Sequence, residues 1–305
     1  MLAYTAKRIV LAFAVAITIS ALVFSLLYMT GDPATALAGE NATSESIESL
    51  RVAYGFDKPV YVQYLSWLGN AMQGDFGTSI YFRLPVSELI QERMPTTAIL
   101  GVSAILFAIV ISIPLGVLAA MYPNSLIDRT ALFLAVVGQA LPSFWFALML
   151  IVLFAFMFPV LPASGSDTWQ HFVLPTIVLG YYAMPAFMRL TRTGMLDVLS
   201  SDYIRTARAK GLRPFTVLFK HALRNAIIPV VSLAAVQFGF MLGGSVIIES
   251  VFALHGVGFL AWESISRADF PTVQAVLLLF SMLYIVLTFF ADLLNAWLDP
   301  RIRVG

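Results

Sequence analysis

Six long stretches of the chain consist almost entirely of apolar residues, and charged residues are concentrated in the segments between them. These stretches cover residues 9–30, 98–122, 131–161, 172–188, 226–248 and 270–291. A helix needs roughly 20 residues to cross a bilayer, so five of the stretches are long enough and the fourth is at the short limit. Backbone N–H and C=O groups find no water in hydrocarbon, so each stretch is predicted to be a helix. The pattern therefore predicts an all-α, polytopic membrane protein with six transmembrane helices.

Composition narrows the class of protein further. The chain is 60% hydrophobic and only 11% charged, whereas soluble domains carry about 25% charged residues. A net charge of +1 gives no sign of a nucleic-acid partner. The absence of cysteine excludes disulfides, cysteine nucleophiles and thiolate metal sites. The three histidines, at 171, 221 and 255, are too far apart along the chain to predict a metal site.

The N-terminal apolar stretch has two interpretations. Lys7 and Arg8 precede it, and Ala36-Leu37-Ala38 resembles a signal-peptidase site. The stretch is longer than the apolar core of about 7–15 residues in a signal peptide. A retained transmembrane helix is therefore favoured over a cleaved signal peptide.

The basic residues predict how the chain is oriented in the membrane. Of the 18 Lys and Arg residues, 13 lie in the N-terminus, 123–130, 189–225 or 292–305. Since basic loops stay on the cytoplasmic side, both termini are predicted to be cytoplasmic. The predicted units are a transmembrane helix (1–30), an external cap (31–97), a core (98–291) that contains the cytoplasmic loop 189–225, and a tail (292–305). The cap holds eight acidic and four basic residues, a net charge of −4.

Local signals within the cytoplasmic loop predict two short helices. Ser201 or Asp202 can cap the first helix, which runs to Lys210, and Gly211 suits the residue after its end. Pro214 suits the first turn of the second helix. A 3.6-residue period would place the apolar side chains of the second helix on one face. These side chains are Phe215, Leu218, Phe219, Ala222 and Leu223.

The first of these helices has a tip of small residues ringed by cations. The small residues are Thr206, Ala207, Ala209 and Gly211, and the cations are Arg205, Arg208 and Lys210. Small residues allow another backbone to approach closely, and the cations can meet an acidic groove. The segment is predicted either to dock a cytoplasmic partner or simply to fix the topology of the chain.

Polar and small residues within the apolar stretches are candidates for a translocation path. Gly239 and Gly243, followed by Gly244, have the spacing that lets helices approach closely. They could line a path or pack helices within the chain. Gln139 and Gln237 could contact a peptide backbone or bond between helices. Glu249 could contact a substrate amine or a binding protein, but a solvated position at the membrane interface is preferred.

Several motifs together resemble one family of membrane proteins. Arg205-Thr206-Ala207, three residues and then Gly211 resemble the EAA-xxx-G loop of the permeases of binding-protein-dependent ABC importers. The segment DYIRTARAKGL…HALRNAIIPV is similar to the dipeptide and oligopeptide branch. Further matches are Gly31-Asp32-Pro33, GDFGTS (74–79), Asp269-Phe270-Pro271, VFALHGVGFL (251–260) and Asp299-Pro300. SDTWQH (166–171) and AAVQFGFMLGGS (234–245) resemble glutathione and dipeptide members.

The resemblance implies a fold, partners and a coupling site. It implies the type I ABC importer permease fold, a homologous second permease, two ATPase subunits, an extracytoplasmic binding protein and a prokaryotic inner membrane. ATP and Mg²⁺ would be used by the ATPases, and this chain would bind no cofactor. The residues implied to contact an ATPase are Asp202, Arg205, Thr206, Ala207, Arg208, Ala209, Lys210 and Gly211. The sequence departs from the family pattern in three places. Arg205 replaces a glutamate, His255 replaces a proline, and the usual I-x-L-P ending reads HALR at 221–224 with its proline delayed to Pro229.

Two other classes of membrane protein remain as alternatives, a self-contained channel or secondary transporter and an intramembrane enzyme. The sequence contains no HExxH, G-x-S-x-G or G-x-x-x-x-G-K-[ST] motif. Hydrolysis of ATP through a phosphate-binding loop would therefore require a partner.

Overall fold

The computed structural model describes residues 2–29, 33–38, 42–53 and 55–298, and within these ranges the chain is helical with no β-strand. The all-α prediction is confirmed. Gly31, Asp32, Asp299 and Pro300 of the family motifs, and most of the predicted tail, lie outside the described residues. The helices are α1 (Leu2–Met29), α2 (Pro33–Ala38), α3 (Ser44–Ala53), α4 (Val60–Met72), α5 (Val86–Met121), α6 (Leu126–Ala140), α7 (Ser143–Ile151), α8 (Val173–Leu199), α9 (Asp202–Ala209), α10 (Pro214–Thr216), α11 (Arg224–Ala226), α12 (Ile228–Val251), α13 (Val257–Ser266) and α14 (Phe270–Leu298).

Five helical segments are long and apolar enough to cross a membrane. They are Thr5–Ser25, Val86–Met121, Trp169–Leu199, Ile228–Val251 and Phe270–Leu294. They correspond to five of the six predicted crossings. The remaining predicted crossing, 131–161, is divided between two shorter helices.

Pro142 divides this third predicted crossing. Leu141 has φ −80° and ψ 129°, so the chain is extended between α6 and α7. A proline disfavours helical geometry in the residue before it and has no N–H to continue the ladder. α7 then restarts after Pro142 and continues as a π-helical segment, Val152–Met157.

Two helices extend beyond the apolar stretches that predicted them. α5 begins at Val86 rather than at residue 98, so the end of the predicted cap is the first part of a long helix. α8 continues to Leu199, well past the predicted end at 188. Hydropathy detects only the part of a helix that lies in hydrocarbon, and these helices project beyond it.

The core is organised around α5 and α8, which pack closely along their length. A β-carbon at Gly180 would lie 2.6 Å from the carbonyl oxygen of Ala104, and one at Gly116 would lie 2.8 Å from that of Met188. The two glycines therefore permit backbone contact between the helices. Leu100, Val178 and Phe187 are buried in the adjoining apolar cluster.

The described part of the cap folds onto the outer end of α1. The hydroxyls of Ser20 and Tyr64 are 2.7 Å apart, and the ring of Phe24 contacts those of Tyr64 and Trp67. α4 is thus held against the first membrane helix.

The second helix predicted within the loop 189–225 differs in part from its prediction. Pro214 is its first residue, as expected, but Val217–Leu223 is π-helical. Of the predicted apolar face, Ala222 is buried and Leu218 and Leu223 pack against the same cluster, whereas Phe215 and Phe219 are exposed. Val217, which the prediction did not include, is buried five residues before Ala222, because a π-helix has a wider turn than the 3.6 residues assumed.

Candidate functional site

A cavity of about 450 Å³ lies where the break between α6 and α7 faces α8 and α12. Its lining residues carry no charged side chain, and its polar groups are the amide of Gln139 and the hydroxyls of Ser143 and Tyr182. The full lining comprises Gln139, Ala140, Leu141, Pro142, Ser143, Phe144, Val178, Leu179, Tyr182, Gly244, Ile247 and Ile248. A mainly apolar cavity with a few polar groups is the usual form of a small-molecule site.

The structure brings together only part of the predicted path. Gln139 and Gly244 line this cavity. Gly243 faces open space, because a β-carbon added there would have no atom within 4 Å, whereas a β-carbon at Gly239 would contact the ring of Tyr284 in α14. Gly239 therefore serves packing within the chain. Gln237 is half-buried in α12 and is not among the residues that line the cavity.

Glu249 is not solvated, so the preference for a position at the interface is wrong. The residue is fully buried near the end of α12. Its carboxylate accepts hydrogen bonds from the hydroxyl of Thr97 and from the N–H of Phe259, both at 2.9 Å. The Thr97 hydroxyl in turn accepts from the N–H of Val257 at 2.8 Å. Glu249 thus joins α5, α12 and the start of α13.

A second buried carboxylate holds the neighbouring outer loops. Asp269 accepts hydrogen bonds from the hydroxyls of Ser79 (2.5 Å) and Thr272 (2.8 Å) and from the N–H of Ile80 (3.0 Å). It ties the end of the GDFGTS segment to the start of α14. Three motifs that carry the family resemblance and are predicted to lie outside, 74–79, 251–260 and 269–271, therefore belong to adjoining hydrogen-bonded segments. We call Thr97, Glu249 and Asp269, with these donors, the outer network.

On the other side of the fold, α9 ends as its sequence predicts. Gly211 has φ +73°, the left-handed conformation that favours glycine. Its N–H donates to the carbonyl of Arg208 (2.9 Å), and the N–H of Leu212 donates to that of Ala207 (3.3 Å). These two bonds form a Schellman motif, which satisfies the last carbonyls of the helix. Ser201 is the N-cap, without a side-chain capping bond.

The two faces of α9 differ in what they contact. Ile204 and Ala207 are buried against the C-terminal halves of α5 and α8 and the π-helical segment. The remaining predicted docking residues are exposed: Asp202, Arg205, Thr206, Arg208, Ala209, Lys210 and Gly211. Ala207 is thus an anchor to its own chain, and the surface available to a partner is the exposed set.

A buried ion pair that the sequence analysis did not identify joins α6 to α8. The guanidinium of Arg192 donates to both carboxylate oxygens of Asp128, at 2.6 and 2.7 Å. The N–H of Asn124 also donates to this carboxylate at 2.9 Å. The hydrogen bond from Arg192 holds the pKa of Asp128 below its ordinary value of 3.8, although burial opposes this. Opposite charges in two segments of the same predicted side, 123–130 and 189–225, were the sequence signal for this pair.

The comparisons with known proteins identify the family from the sequence. The family model described as "Binding-protein-dependent transport system inner membrane component" matches residues 112–304, and the model for the N-terminal part of such components matches residues 1–101. The glutathione transport system permease proteins GsiC of Escherichia coli K12 and Shigella dysenteriae are each 40% identical to this chain over 304 residues, which is 99% of both sequences.

A solved structure matches the fold. It is titled as inward-facing conformations of the MetNI methionine ABC transporter, and its aligned chain gives a TM-score of 0.57 at 20% identity. The alignment covers 69% of this chain and 96% of that one. At this identity the match supports the type I permease fold and nothing about substrate. With the two family matches and the full-length similarity, it leads to one conclusion: the chain belongs to the family of inner-membrane permease components of binding-protein-dependent ABC importers.

Proposed function

We propose that this chain forms the translocation path of an ATP-driven importer of short peptides, with glutathione as the first substrate to test. The observation that carries this proposal is the 40% identity to glutathione transport permeases along 99% of both chains. A homologous second permease would supply the other half of the path, and an extracytoplasmic binding protein would deliver the substrate.

The polar groups of the cavity suit a peptide substrate that the binding protein, rather than the cavity, selects. Gln139, Ser143 and Tyr182 offer an amide and two hydroxyls, which suit peptide groups. No charged side chain lines the cavity to fix the charged ends of one particular peptide. The wall formed by Gln139 and Gly244 would guide the substrate, and the binding protein would select it.

The exposed face of α9 would dock an ATPase subunit. It presents Arg205, Arg208 and Lys210 beside small residues, which fits an acidic groove. α8 runs from the cavity wall toward this helix, and a rise of 1.5 Å per residue puts Leu199 about 25 Å from Tyr182. A packed helix of this length can carry a movement of α9 to the cavity. Two ATPases would use ATP and Mg²⁺, and this chain would bind neither.

The terminal helices support the predicted orientation. Arg8, near the start of α1, and Asp292, near the end of α14, form an ion pair of 2.6 Å, so these two helix ends lie on the same side of the helix bundle. Since 13 of the 18 basic residues are predicted to lie on that side, we propose that it is the cytoplasm and that the membrane is a prokaryotic inner membrane.

The first experiment is a mild-detergent pull-down of the chain from its native membrane, followed by mass spectrometry and by uptake of radiolabelled glutathione and dipeptides in proteoliposomes. We expect a second permease, ATPase subunits and ATP-dependent uptake that requires the binding protein. Recovery of the chain alone, with transport retained, would instead favour a self-contained channel or secondary transporter.

A pair of glycine variants tests the cavity. Gly244→Leu puts a large side chain into the cavity, and we expect it to abolish uptake while the complex still assembles. Gly69→Leu is the control. A β-carbon at Gly69 has no atom within 4 Å, and one at Gly244 contacts only Cδ1 of Leu179 at 3.6 Å, but Gly69 lies in α4 of the cap. Equal uptake by both variants would place the path elsewhere.

A further inference from the structure

A groove of about 260 Å³ runs along the outside of the helix bundle, between α1 and α14. Ala12 and Val15 lie on one wall, and Ile285 and Phe289 lie on the other. Arg8 and Asp292 close the end that we propose to be cytoplasmic. The groove is separate from the cavity that we assign to the substrate.

The position of the groove limits what can fill it. Both walls belong to segments that are long and apolar enough to cross the membrane, Thr5–Ser25 and Phe270–Leu294. An apolar void is not stabilised by water. A groove that opens toward hydrocarbon is therefore filled by an acyl chain unless another helix covers it.

Charged groups lie at the end of the groove that we propose to be cytoplasmic. Arg8 donates to Asp292 at 2.6 Å while its side chain stays 38% exposed, and Lys7 beside it is exposed. Lys7, Arg8 and Asp292 together carry two positive charges and one negative charge, which suits a phosphate. Thr288 lies four residues from Asp292, about 6 Å along the axis, and its hydroxyl oxygen is buried without a hydrogen-bond partner among the described residues.

We propose that this groove binds an anionic phospholipid, with its phosphate at Lys7 and Arg8 and one acyl chain between α1 and α14. α1 packs mainly against α14, with a smaller contact to α4. The lipid would therefore stabilise the docking of α1 on the rest of the chain.

The test uses the whole detergent-purified assembly, delipidated and then titrated with phosphatidylglycerol or phosphatidylcholine. Bound lipid is counted by native mass spectrometry, and the apparent melting temperature is measured in parallel. Ala12→Trp fills the groove without changing charge, and its control Ala14→Trp puts the same side chain on an exposed face of α1. Lys7→Gln removes a proposed headgroup contact, and its control Arg129→Gln removes an exposed charge from the first turn of α6, on the same predicted side.

We expect one tight phosphatidylglycerol site that raises the melting temperature. Ala12→Trp should lose this site and Ala14→Trp should keep it, while Lys7→Gln should weaken the preference for phosphatidylglycerol about fivefold and Arg129→Gln should not. If Ala12→Trp fails to assemble, the two charge variants decide the question. Unchanged binding by Ala12→Trp or Lys7→Gln, or equal binding of both lipids by the wild type, would overturn the proposal. A cross-link from an Ala12→Cys variant to a second protein would also overturn it.

Discussion

The two ends of the molecule differ in whether their charged groups are buried or exposed. On the outer side, the carboxylates of Glu249 and Asp269 are fully buried and accept hydrogen bonds from groups far away in the sequence. On the other side, α9 leaves most of its charged groups exposed and is closed by bonds between near neighbours. The outer network joins parts of one chain, whereas the exposed charges of α9 are the ones that we propose to contact another molecule.

Because of this difference, we expect substitutions at one end to change mainly stability and substitutions at the other end to change mainly partner binding. Burying a charge costs several kcal/mol unless it is hydrogen-bonded, so a substitution in the outer network should act mainly on folding. An exposed charge contributes little to folding, so a substitution on α9 should act mainly on partner binding. Four substitutions, in order of decreasing expected effect on stability, test this contrast.

Glu249→Ala should have the largest effect. It leaves the Thr97 hydroxyl and the Phe259 N–H buried without their acceptor, and we expect a loss of about 3 kcal/mol or more. The apparent melting temperature of the purified assembly would measure it. Glu92→Ala, an exposed acid of the same predicted side, is the control and should change stability by less than about 0.5 kcal/mol. Equal melting temperatures for the two variants would contradict the assigned role of Glu249.

Asp128→Asn should cost about 3 kcal/mol at neutral pH, because Arg192 is left largely buried without its ion pair. Folding lowers the pKa of Asp128, so the pair contributes fully above the ordinary value of 3.8 and loses its contribution as the pH falls below that value. The difference in melting temperature between the wild type and Asp128→Asn should therefore be constant near neutral pH and shrink in strong acid. Asp197→Asn, which removes an exposed carboxylate, should match the wild type at each pH.

Gly211→Asp should cost about 1 kcal/mol of stability, through the left-handed backbone it imposes on an aspartate, and should uncouple ATP hydrolysis from uptake or prevent ATPase assembly. The matched control is Gly74→Asp. Gly74 also has φ near +80°, closes α4 with the same pair of Schellman bonds and has no atom within 4 Å of an added β-carbon. ATPase co-purification should fail only for the variant on α9. Wild-type uptake by Gly211→Asp would reject docking at this helix.

Arg205→Ala should have the smallest effect on stability, below about 1 kcal/mol, because its ion pair with Asp202 is exposed on both sides. We nevertheless expect it to reduce ATPase co-purification, and to do so more strongly as the salt concentration falls. Arg129→Ala removes an exposed charge from the same predicted side but outside α9, and it should leave co-purification unchanged.

The sequence predicted the features that depend on residues close together in the chain. Gly211 and Pro214 marked the end of one helix and the start of the next, and the six apolar stretches predicted the helical membrane protein. The break at Pro142 was also predictable, because a proline restricts the conformation of the residue before it. It was missed because the proline was assumed to be tolerated within a longer helix.

The sequence could not predict what depends on distant partners or on an unusual helix. The partners of Glu249 come from another helix, α5, and from the helix after its own, so its isolated position in the sequence suggested a solvated acid. The spacing of Phe215, Leu218 and Phe219 fitted an α-helix, and only the π-helical geometry shows that Val217 and Ala222 are the buried pair. The pairing of Asp128 with Arg192 likewise required the packing of α6 on α8.

The interruption between α6 and α7 has a consequence for how the transporter can change over evolution. Because Pro142 ends the α6 ladder, the last turn of that helix presents carbonyl oxygens that the helix itself cannot use, beside a cavity with no charged lining. These oxygens belong to the main chain, so no side-chain substitution removes them. A lineage could therefore replace the side chains around the cavity and acquire new cargo while keeping the same acceptors for hydrogen bonds.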